Sequence, residues 1–409
     1  MRKLFYLTYK SIQNRKTTFL LCVVSITISV VLLLGVDKAV KSSKEHFINT
    51  INSTDIIVAS SNGSLDILLN LIFHLSDPLK QMSYKSFEDI KNFSEVAWGV
   101  PISLGDSFEG FDVVSTNKNY FKYYKYSSSK HLLFSQGRGF VDFWDVVLGS
   151  KVAKKLHLKV GDSIHLSHGH AHHKHTHKNR VFNVVGVLSK TMTPNDETVF
   201  MQLKADEAIH IEWQSGHFVD MHISSDKLSH MKIKPKYISG MLLGLKNRSA
   251  ILGVEDKINR YKGQNLKAVI PAKALSKLYK LMKNLQDLLM LISSAVFMAA
   301  IFTMLSSMYS TLNERRREIA IFRSLGASAK DIFLLFAFES FLVVFSGVVL
   351  GVVLVGVFGL FSPFKLGFGI DIYELFMLFS MVIIALFASL LPAFKSYKNS
   401  LADGLVVRV

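Results

Sequence analysis

Seven of the fifteen histidines lie in one short stretch, HLSHGHAHHKHTHKNR, from His165 to Arg180. Neutral imidazole binds zinc, copper and nickel, and a zinc ion takes about four ligands. The spacing therefore predicts a metal-binding loop at 165–180, with Zn²⁺ favoured over copper or nickel. A solvated hairpin insertion without a ligand is the alternative. We call these seven residues the histidine comb: His165, His168, His170, His172, His173, His175 and His177.

Four apolar stretches are long enough to cross a bilayer, which takes about 20 mostly apolar residues. They are 17–36, 288–312, 332–361 and 375–394. The third contains one charged residue, Glu339, and the others contain none. This pattern predicts an α-helical membrane protein with four transmembrane helices. The first stretch exceeds the apolar core of a cleavable signal peptide, so we expect it to remain as an anchor.

Lysine and arginine near the span ends predict the orientation. They cluster before the first span, between the second and third, and after the fourth. By the positive-inside rule, both termini and the loop 313–331 are cytoplasmic. Residues 1–16 then form an interfacial helix on the inner leaflet, and 395–409 form a cytoplasmic tail. The large segment 37–287, which includes the comb, and the short loop 362–374 lie outside.

The net charge and the cysteine content limit the classes of partner and of metal site that the chain can have. The net charge of +17 belongs partly to the cytoplasmic segments and partly to the outer segment. A basic outer surface suits anionic lipid or acidic partners, although solvation explains it more simply. We expect no nucleic acid at an external domain. The single cysteine, Cys22, lies within the first span, which excludes a disulfide framework and a cysteine-based metal site.

The outer segment has the pattern of a mixed α/β domain. Strands are predicted at 55–59, 96–115, 145–148, 163–166, 181–187, 240–246 and 266–270, and a helix at 249–261. From Ala274 to Gln286 a helical pattern continues into the second span without Gly or Pro. We therefore expect one long stalk helix there.

The loop after the second span has helical periodicity. Ile319, Phe322 and Leu325 fall on one face, and Gly326 stands where a helix would end. Ser328 and Asp331 have the spacing of a capping box. The pattern predicts a short amphipathic helix at the inner surface.

Two features of the third span have more than one interpretation. Glu339 is a functional candidate because charges are costly in lipid, but we favour a structural residue hydrogen-bonded between helices. Gly347 and Gly351 form a GxxxG, which favours close helix packing either within one subunit or across a dimer.

These segments together resemble the FtsX-like permeases, the membrane subunits of MacB/LolCDE-type (type VII) ABC transporters. The loop ERRREIAIFRSLGAS resembles the family signature, and LPAFKSYKNSLADGL fits the family's C-terminal end. In the outer segment, GRGFVDFWDVVLGSKVAKKLHLKVGDSIHL followed by VFNVVGVL resembles the periplasmic core domain. Four spans with the large domain between the first two is also the family topology.

The resemblance implies a location in the bacterial inner membrane and a periplasmic domain of two subdomains. These are a Porter-like part at about 50–120 and 237–272 and a Sabre-like part at about 121–236. It also implies a permease homodimer and a dimeric cytoplasmic ABC ATPase, working together by mechanotransmission. The ATPase would dock on residues of the 313–331 loop: Arg315, Arg316, Arg317, Glu318, Ile319, Phe322, Arg323, Leu325 and Gly326.

No GxxxxGK[ST] phosphate-binding loop occurs in the chain, so ATP is expected only through the partner subunit. The chain is therefore predicted to be a non-catalytic membrane subunit. Zinc handling through the comb is one predicted role, with a periplasmic zinc-binding protein or a lipoprotein as partner. The alternatives are extrusion of lipoproteins, peptides or amphiphiles, and transmembrane activation of a periplasmic partner. In both of these the comb is incidental.

Overall fold

The computed structural model describes residues 10, 13, 15–50, 54–61, 63–75, 79–127, 130–168, 175–176, 180–210, 213–214, 217–218, 227–228, 231, 233–324, 326–361 and 369–402. The chain divides into two compact units. Residues 1–43 and 282–409 form the helical unit, and residues 44–281 form the α/β unit. The predicted interfacial helix falls largely outside the described residues, as does the end of the cytoplasmic tail, so both remain predictions.

Ten α-helices are described. They are α1 (Lys16–Thr50), α2 (Ser64–Phe73), α3 (Tyr84–Lys91), α4 (Asn119–Tyr123), α5 (Ser150–Leu156), α6 (Leu203–His210), α7 (Ile251–Asn259), α8 (Pro271–Ser324), α9 (Ala329–Phe361) and α10 (Ile372–Ala402). Four of them contain segments long and apolar enough to cross a membrane. These segments are Lys16–Glu45, Pro271–Ser310, Lys330–Phe361 and Ile372–Pro392. The prediction of four candidate spans is confirmed.

In the helical unit, α9 packs closely on α1. A Cβ added at Gly347 would lie 2.7 Å from Ile26 Cγ2, and one added at Gly351 would lie 2.6 Å from Val30 Cβ. Thr27 Oγ1 donates to the carbonyl of Gly347 at 3.2 Å across the same contact. The GxxxG therefore packs on α1 of the same chain, as the first of the two interpretations predicts.

α8 confirms the predicted stalk helix and corrects one detail of the loop. It runs for 54 residues, which corresponds to about 80 Å at 1.5 Å per residue. No glycine occurs in it, and its one proline is the first residue. The prediction of a separate amphipathic helix was therefore wrong, because nothing interrupts α8 before Ser324.

The turn after α8 has the predicted caps. Gly326 has a φ of +94°, a left-handed conformation that glycine adopts without strain. Ser328 N donates to Asp331 Oδ2 at 2.8 Å, and Asp331 N donates to Ser328 Oγ at 3.3 Å. This reciprocal pair is the predicted capping box, and it starts α9.

The strands of the α/β unit are short apart from one. They are β1 (Ile56–Ala59), β2 (Met82–Ser83), β3 (Val96–Phe108), β4 (Phe111–Thr116), β5 (Lys125–Tyr126), β6 (Lys130–His131), β7 (Phe134–Gly137), β8 (Asp145–Leu148), β9 (Ser163–Ile164), β10 (Ser167–His168), β11 (His175–Thr176), β12 (Phe182–Leu188), β13 (Thr198–Gln202), β14 (Trp213–Gln214), β15 (His217–Phe218), β16 (Tyr237–Ile238), β17 (Gly240–Leu245) and β18 (Lys267–Val269).

One mixed sheet of 12 strands organises this unit. Its main order is β18-β1-β17-β3-β4-β13-β8-β12-β7. Two pairs, β12 with β8 and β13 with β4, are parallel. The first part of β3 pairs with β17 and the second part with β4. Because β4 also pairs with β13, which lies in the predicted Sabre-like range, the sheet continues through both of the predicted subdomains. The division into Porter-like and Sabre-like parts remains a prediction.

The helices of the α/β unit pack on this sheet through apolar faces. Ile67, Leu68 and Leu71 of α2 are buried in one cluster with Val100, and Val254 and Ile258 of α7 are buried in another. The predicted strands of the outer segment are confirmed to within a few residues. The structure adds elements that were not predicted, chiefly α2, α5, α6 and β13.

Candidate metal-binding site

The histidine comb lies on a β-hairpin of the α/β unit. At its base β9 pairs with β12, with Ile164 opposite Phe182. Further along, β10 pairs antiparallel with β11, and His168 lies directly opposite His175. Residues 169–174, between the two strands, are outside the described part of the chain. The predicted loop is thus anchored at both ends by strand pairing.

The structure describes the comb only in part. His165 is exposed, and its Nδ1 lies 2.9 Å from the carbonyl oxygen of Arg180. The tautomer that donates this hydrogen bond leaves Nε2 with its lone pair. His168 and His175 are placed by their backbone alone. His170, His172, His173 and His177 lie outside the described residues, so metal binding by the comb remains a prediction.

The other edge of β10 pairs with β3. Ser167 lies opposite Ser107, and His168 lies opposite Asp106. Directly opposite residues of antiparallel strands have Cβ atoms about 4.5–5.5 Å apart. His168, the first histidine in the strands of the hairpin, therefore lies at the register position opposite the buried Asp106.

β3 contains a bulge at this aspartate. Leu104 lies opposite Val114 of β4, but Ser107 lies opposite Asp112, so three steps along β3 match two along β4. A bulge changes the direction of side chains and is common beside functional sites. Asp106 is the residue just before Ser107, and it is 3% exposed.

Asp106 belongs to a cluster with Asp206 and His210, whose candidate ligand atoms all lie within 4.8 Å of one another. We call these three residues the Asp-His cluster. His210 Nε2 lies 3.7 Å from Asp106 Oδ1, and His210 Nδ1 lies 3.3 Å from Asp206 Oδ1. Asp206 and His210 are four residues apart on α6, so both fall on one face of the helix.

Hydrogen bonding and charge define the state of His210. Its Nδ1 donates to the carbonyl oxygen of Asp206 at 2.8 Å. Burial lowers the pKa of His210, but the hydrogen bonds to Asp206 and the carboxylates of Asp106 and Asp206 outweigh it and raise the pKa to about 9. Without a metal, protonated His210 forms an ion pair with the carboxylates of Asp106 and Asp206. A divalent cation is the alternative partner for the same two carboxylates.

The Asp-His cluster was not found from the sequence. Asp206 and His210 are four residues apart, a spacing that puts two metal ligands on one face of a helix. The helix that contains them, α6, has only eight residues and was not predicted. Asp106 is 104 positions before His210, and only the register of the sheet connects it to the comb. The spacing of Asp206 and His210 was the one local signal.

The predicted ATPase-docking residues occupy the end of α8 and the turn after it. Arg315, Arg316, Arg317, Glu318, Ile319, Phe322 and Arg323 are helical, but the structure does not describe their side chains. Leu325 lies outside the described residues, and Gly326 is the turn residue noted above. Their grouping on one face therefore remains a prediction.

Glu339 lines a cavity within the helical unit. Arg15, Cys22 of α1 and Ser307 of α8 line the same cavity, so polar groups from two other segments share it with the carboxylate. The structural role favoured for Glu339 suits this setting, and it remains a prediction.

Two family models match the chain. The MacB-like periplasmic core domain matches residues 19–261, and the C-terminal domain of FtsX-like permeases matches residues 290–401. The chain belongs to the FtsX-like permease family. The predicted resemblance is confirmed, and with it the class of ABC transporter permease subunit, whose family works with a cytoplasmic ABC ATPase. The four apolar helices and this domain fit an inner-membrane protein with a periplasmic domain.

Two solved structures are similar to part of this permease. The periplasmic region of MacB from Actinobacillus actinomycetemcomitans is 12% identical, with 57% of this chain and 97% of that chain covered and a TM-score of 0.34. The extracellular domain of the noncanonic ABC-type transporter YknZ from Gram-positive bacteria is 13% identical, with coverages of 52% and 98% and a TM-score of 0.30. No curated protein matches the chain. The family assignment rests on the two family models.

Proposed function

We propose that this permease works by mechanotransmission in zinc handling at the outer face of the membrane. A dimeric cytoplasmic ATPase drives a homodimer of the permease, and the histidine comb collects zinc for a periplasmic zinc-binding protein. Both termini and the turn after α8 are cytoplasmic in this proposal, which the distribution of lysine and arginine supports. The chain itself carries out no catalysis.

The continuity of α8 supports the mechanical part. The helix begins in the α/β unit and ends in the helical unit. Without an internal glycine or proline, it has no sequence-encoded hinge at which a displacement would be lost. A movement imposed at its cytoplasmic end is therefore carried along the helix, and ATP binding and hydrolysis by the partner supply that movement.

The hairpin of the comb is the observation that carries the zinc proposal. Strand pairing at Ile164 and Phe182, and again at Ser167 and Thr176, fixes both ends of the segment 165–181, which contains the seven histidines of the comb. Alternating imidazoles on such a segment offer several sets of four ligands. Ordering the segment on binding costs entropy, so we expect loosely held, exchanging zinc.

The test uses the full permease with its ATPase, reconstituted in lipid. Zn²⁺ should stimulate ATP hydrolysis at pH 7.5 and have little effect at pH 5.5, because an imidazole in water has a pKa near 6.5 and the protonated ring cannot bind metal. In the comb-Ser variant, six histidines become serine: His168, His170, His172, His173, His175 and His177. Zinc stimulation should be lost in this variant, while basal hydrolysis and the melting temperature in EDTA stay unchanged.

Two outcomes would contradict the zinc proposal. One is full zinc stimulation of the comb-Ser variant together with normal growth of cells carrying it under zinc starvation. The other is stimulation by lipoproteins or peptides with no response to Zn²⁺, which would favour extrusion. A large loss of stability of the metal-free comb-Ser variant would show that the histidine side chains are packed in the fold and do not serve to collect zinc.

A further inference from the structure

We propose that the Asp-His cluster is an ordered zinc site, separate from the comb and beside the root of its hairpin. Asp106, Asp206 and His210 are its protein ligands, each from a defined strand or helix position. That the site receives zinc from the comb rests on the proposed function, whereas the existence of the site does not.

The spacing of the donor atoms suits a zinc ion. Zinc bonds to imidazole nitrogen and carboxylate oxygen are about 2.0–2.2 Å long, so two ligands at a tetrahedral angle lie about 3.4 Å apart. His210 Nε2 and Asp106 Oδ1 are 3.7 Å apart, and His210 Nδ1 and Asp206 Oδ1 are 3.3 Å apart. One ligand atom from each of the three residues lies within 4.8 Å of the other two. To bind one ion, the widest separation in the set would have to close by up to about 1.4 Å, from at most 4.8 Å to about 3.4 Å.

The hydrogen bond made by His210 Nδ1 leaves Nε2 as the nitrogen that can bind a metal. Metal-binding histidines usually donate their other N–H to a backbone carbonyl or a carboxylate, which fixes the tautomer and the ring orientation. Here Nδ1 donates to the carbonyl of Asp206, one helical turn earlier on α6. Nε2 is therefore the nitrogen that carries the lone pair when the ring is neutral, and it is the one that faces Asp106.

The donor set and its charge select the class of cation. Magnesium and calcium prefer shells made of oxygen ligands, whereas imidazole favours zinc and similar transition metals. Two carboxylates balance the charge of Zn²⁺, so the occupied site is neutral. This matters because Asp106 and Asp206 have side chains only 2% and 15% exposed. Three protein ligands leave a fourth position open, the arrangement of a site that exchanges its metal or binds water.

The surrounding fold prepares the site and connects it to the comb. The bulge in β3 lies at Asp106, and α6 holds the other two ligands one turn apart. β10 pairs with β3 at the same place, with His168 opposite Asp106. A zinc ion released by the hairpin therefore has a short path to the ordered site.

The competing explanation is an ion pair of protonated His210 with the two aspartates, and zinc titration separates the two. We would measure Zn²⁺ binding by calorimetry on the full chain in detergent, in the comb-Ser background. One Zn²⁺ per chain should remain bound. Adding His210→Gln should weaken this remaining binding by about 100-fold or more, since even the loss of a residue that supports a ligand costs 10–100-fold.

His131→Gln is the matched control, because His131 is an exposed histidine of the same unit that lies outside both the comb and the cluster. It should leave the retained zinc unchanged. Asp206→Asn is the second test variant, and it removes one charge with little change in shape. The melting temperature of each variant in EDTA checks that loss of zinc is not loss of fold.

The site would be refuted by a comb-Ser chain that binds no zinc, or by equal zinc binding in folded His210→Gln and Asp206→Asn variants. These failures differ from failure of the proposed function. A comb-Ser chain that retains no zinc, beside a wild-type complex whose ATPase responds to zinc, refutes only the site. A comb-Ser chain that retains one zinc, beside a wild-type complex whose ATPase does not respond to zinc, supports the site and refutes the proposed role.

Discussion

At the scale of single residues, His74 is a buried histidine whose protonation opposes folding. Its side chain is 7% exposed, and its Nδ1 lies 3.9 Å from Asp112 Oδ2. Burial lowers the pKa of His74 to about 4, and the nearby carboxylate only partly offsets this. The unfolded chain takes up a proton as the pH falls below about 6.5, while the folded chain takes it up only near pH 4. The contribution of His74 to the free energy of unfolding is therefore constant above pH 6.5 and decreases as the pH falls from 6.5 to 4.

The expected loss at pH 5 is about 2 kcal/mol. His74→Asn should remove this part of the pH dependence, because asparagine tolerates the left-handed conformation of residue 74, whose φ is +55°. Melting temperatures of wild type and variant, taken in EDTA at pH 7 and pH 5, measure it. The variant should lose less stability than wild type on acidification, and the exposed-site control His131→Gln should follow wild type. Parallel losses in His74→Asn and wild type would contradict the assignment.

At the scale of elements, the contact between α1 and α9 makes a sharp prediction at Gly351. Its added Cβ would meet Val30 Cβ and Cγ1 at 2.6 Å, so Gly351→Ala forces the helices apart. Overpacking of this kind costs about 1–3 kcal/mol. Gly35→Ala is the matched control, because a Cβ there meets no atom within 4 Å. Thermal unfolding in detergent should show a lower melting temperature for Gly351→Ala and an equal or higher one for Gly35→Ala. Equal behaviour of the two variants would mean that this packing is wrong.

The elements differ in how far the sequence alone predicts them. The four apolar spans, the long α8 and the capping box depend on local patterns, and all three were predicted correctly. α2 was missed because SLDILLNLIF is only ten residues long and seven of them are apolar, a length and composition at which a buried helix and a buried strand are hard to tell apart. The Asp-His cluster was missed for a different reason. A bulge in β3 and the non-local pairing of β4 with β13, the strand directly before α6, bring Asp106 to α6, and neither leaves a local pattern in the sequence.

At the scale of the whole molecule, the proposed functions belong to different units. The comb and the Asp-His cluster lie within residues 44–281, the α/β unit. The residues expected to bind the ATPase lie at the end of α8, in the helical unit. Zinc binding and ATPase binding should therefore be separable by mutation, although α8 belongs to both units.

Phe322→Asp tests this separation. Phe322 is one of three apolar residues expected in a groove of the ATPase, and burying each contributes about 1.5–3 kcal/mol. A charge there should abolish co-purification of the ATPase and its zinc-stimulated activity, while zinc binding by the permease stays at the wild-type level. Ser324→Asp is the matched control, because two residues along a helix correspond to a rotation of about 200°, onto the other side of α8. It adds the same charge to an exposed position and should leave the complex intact. A Phe322→Asp permease that retains its ATPase at full activity would show that the ATPase binds elsewhere, and equal losses in both variants would show that charge alone disrupts this end of the helix.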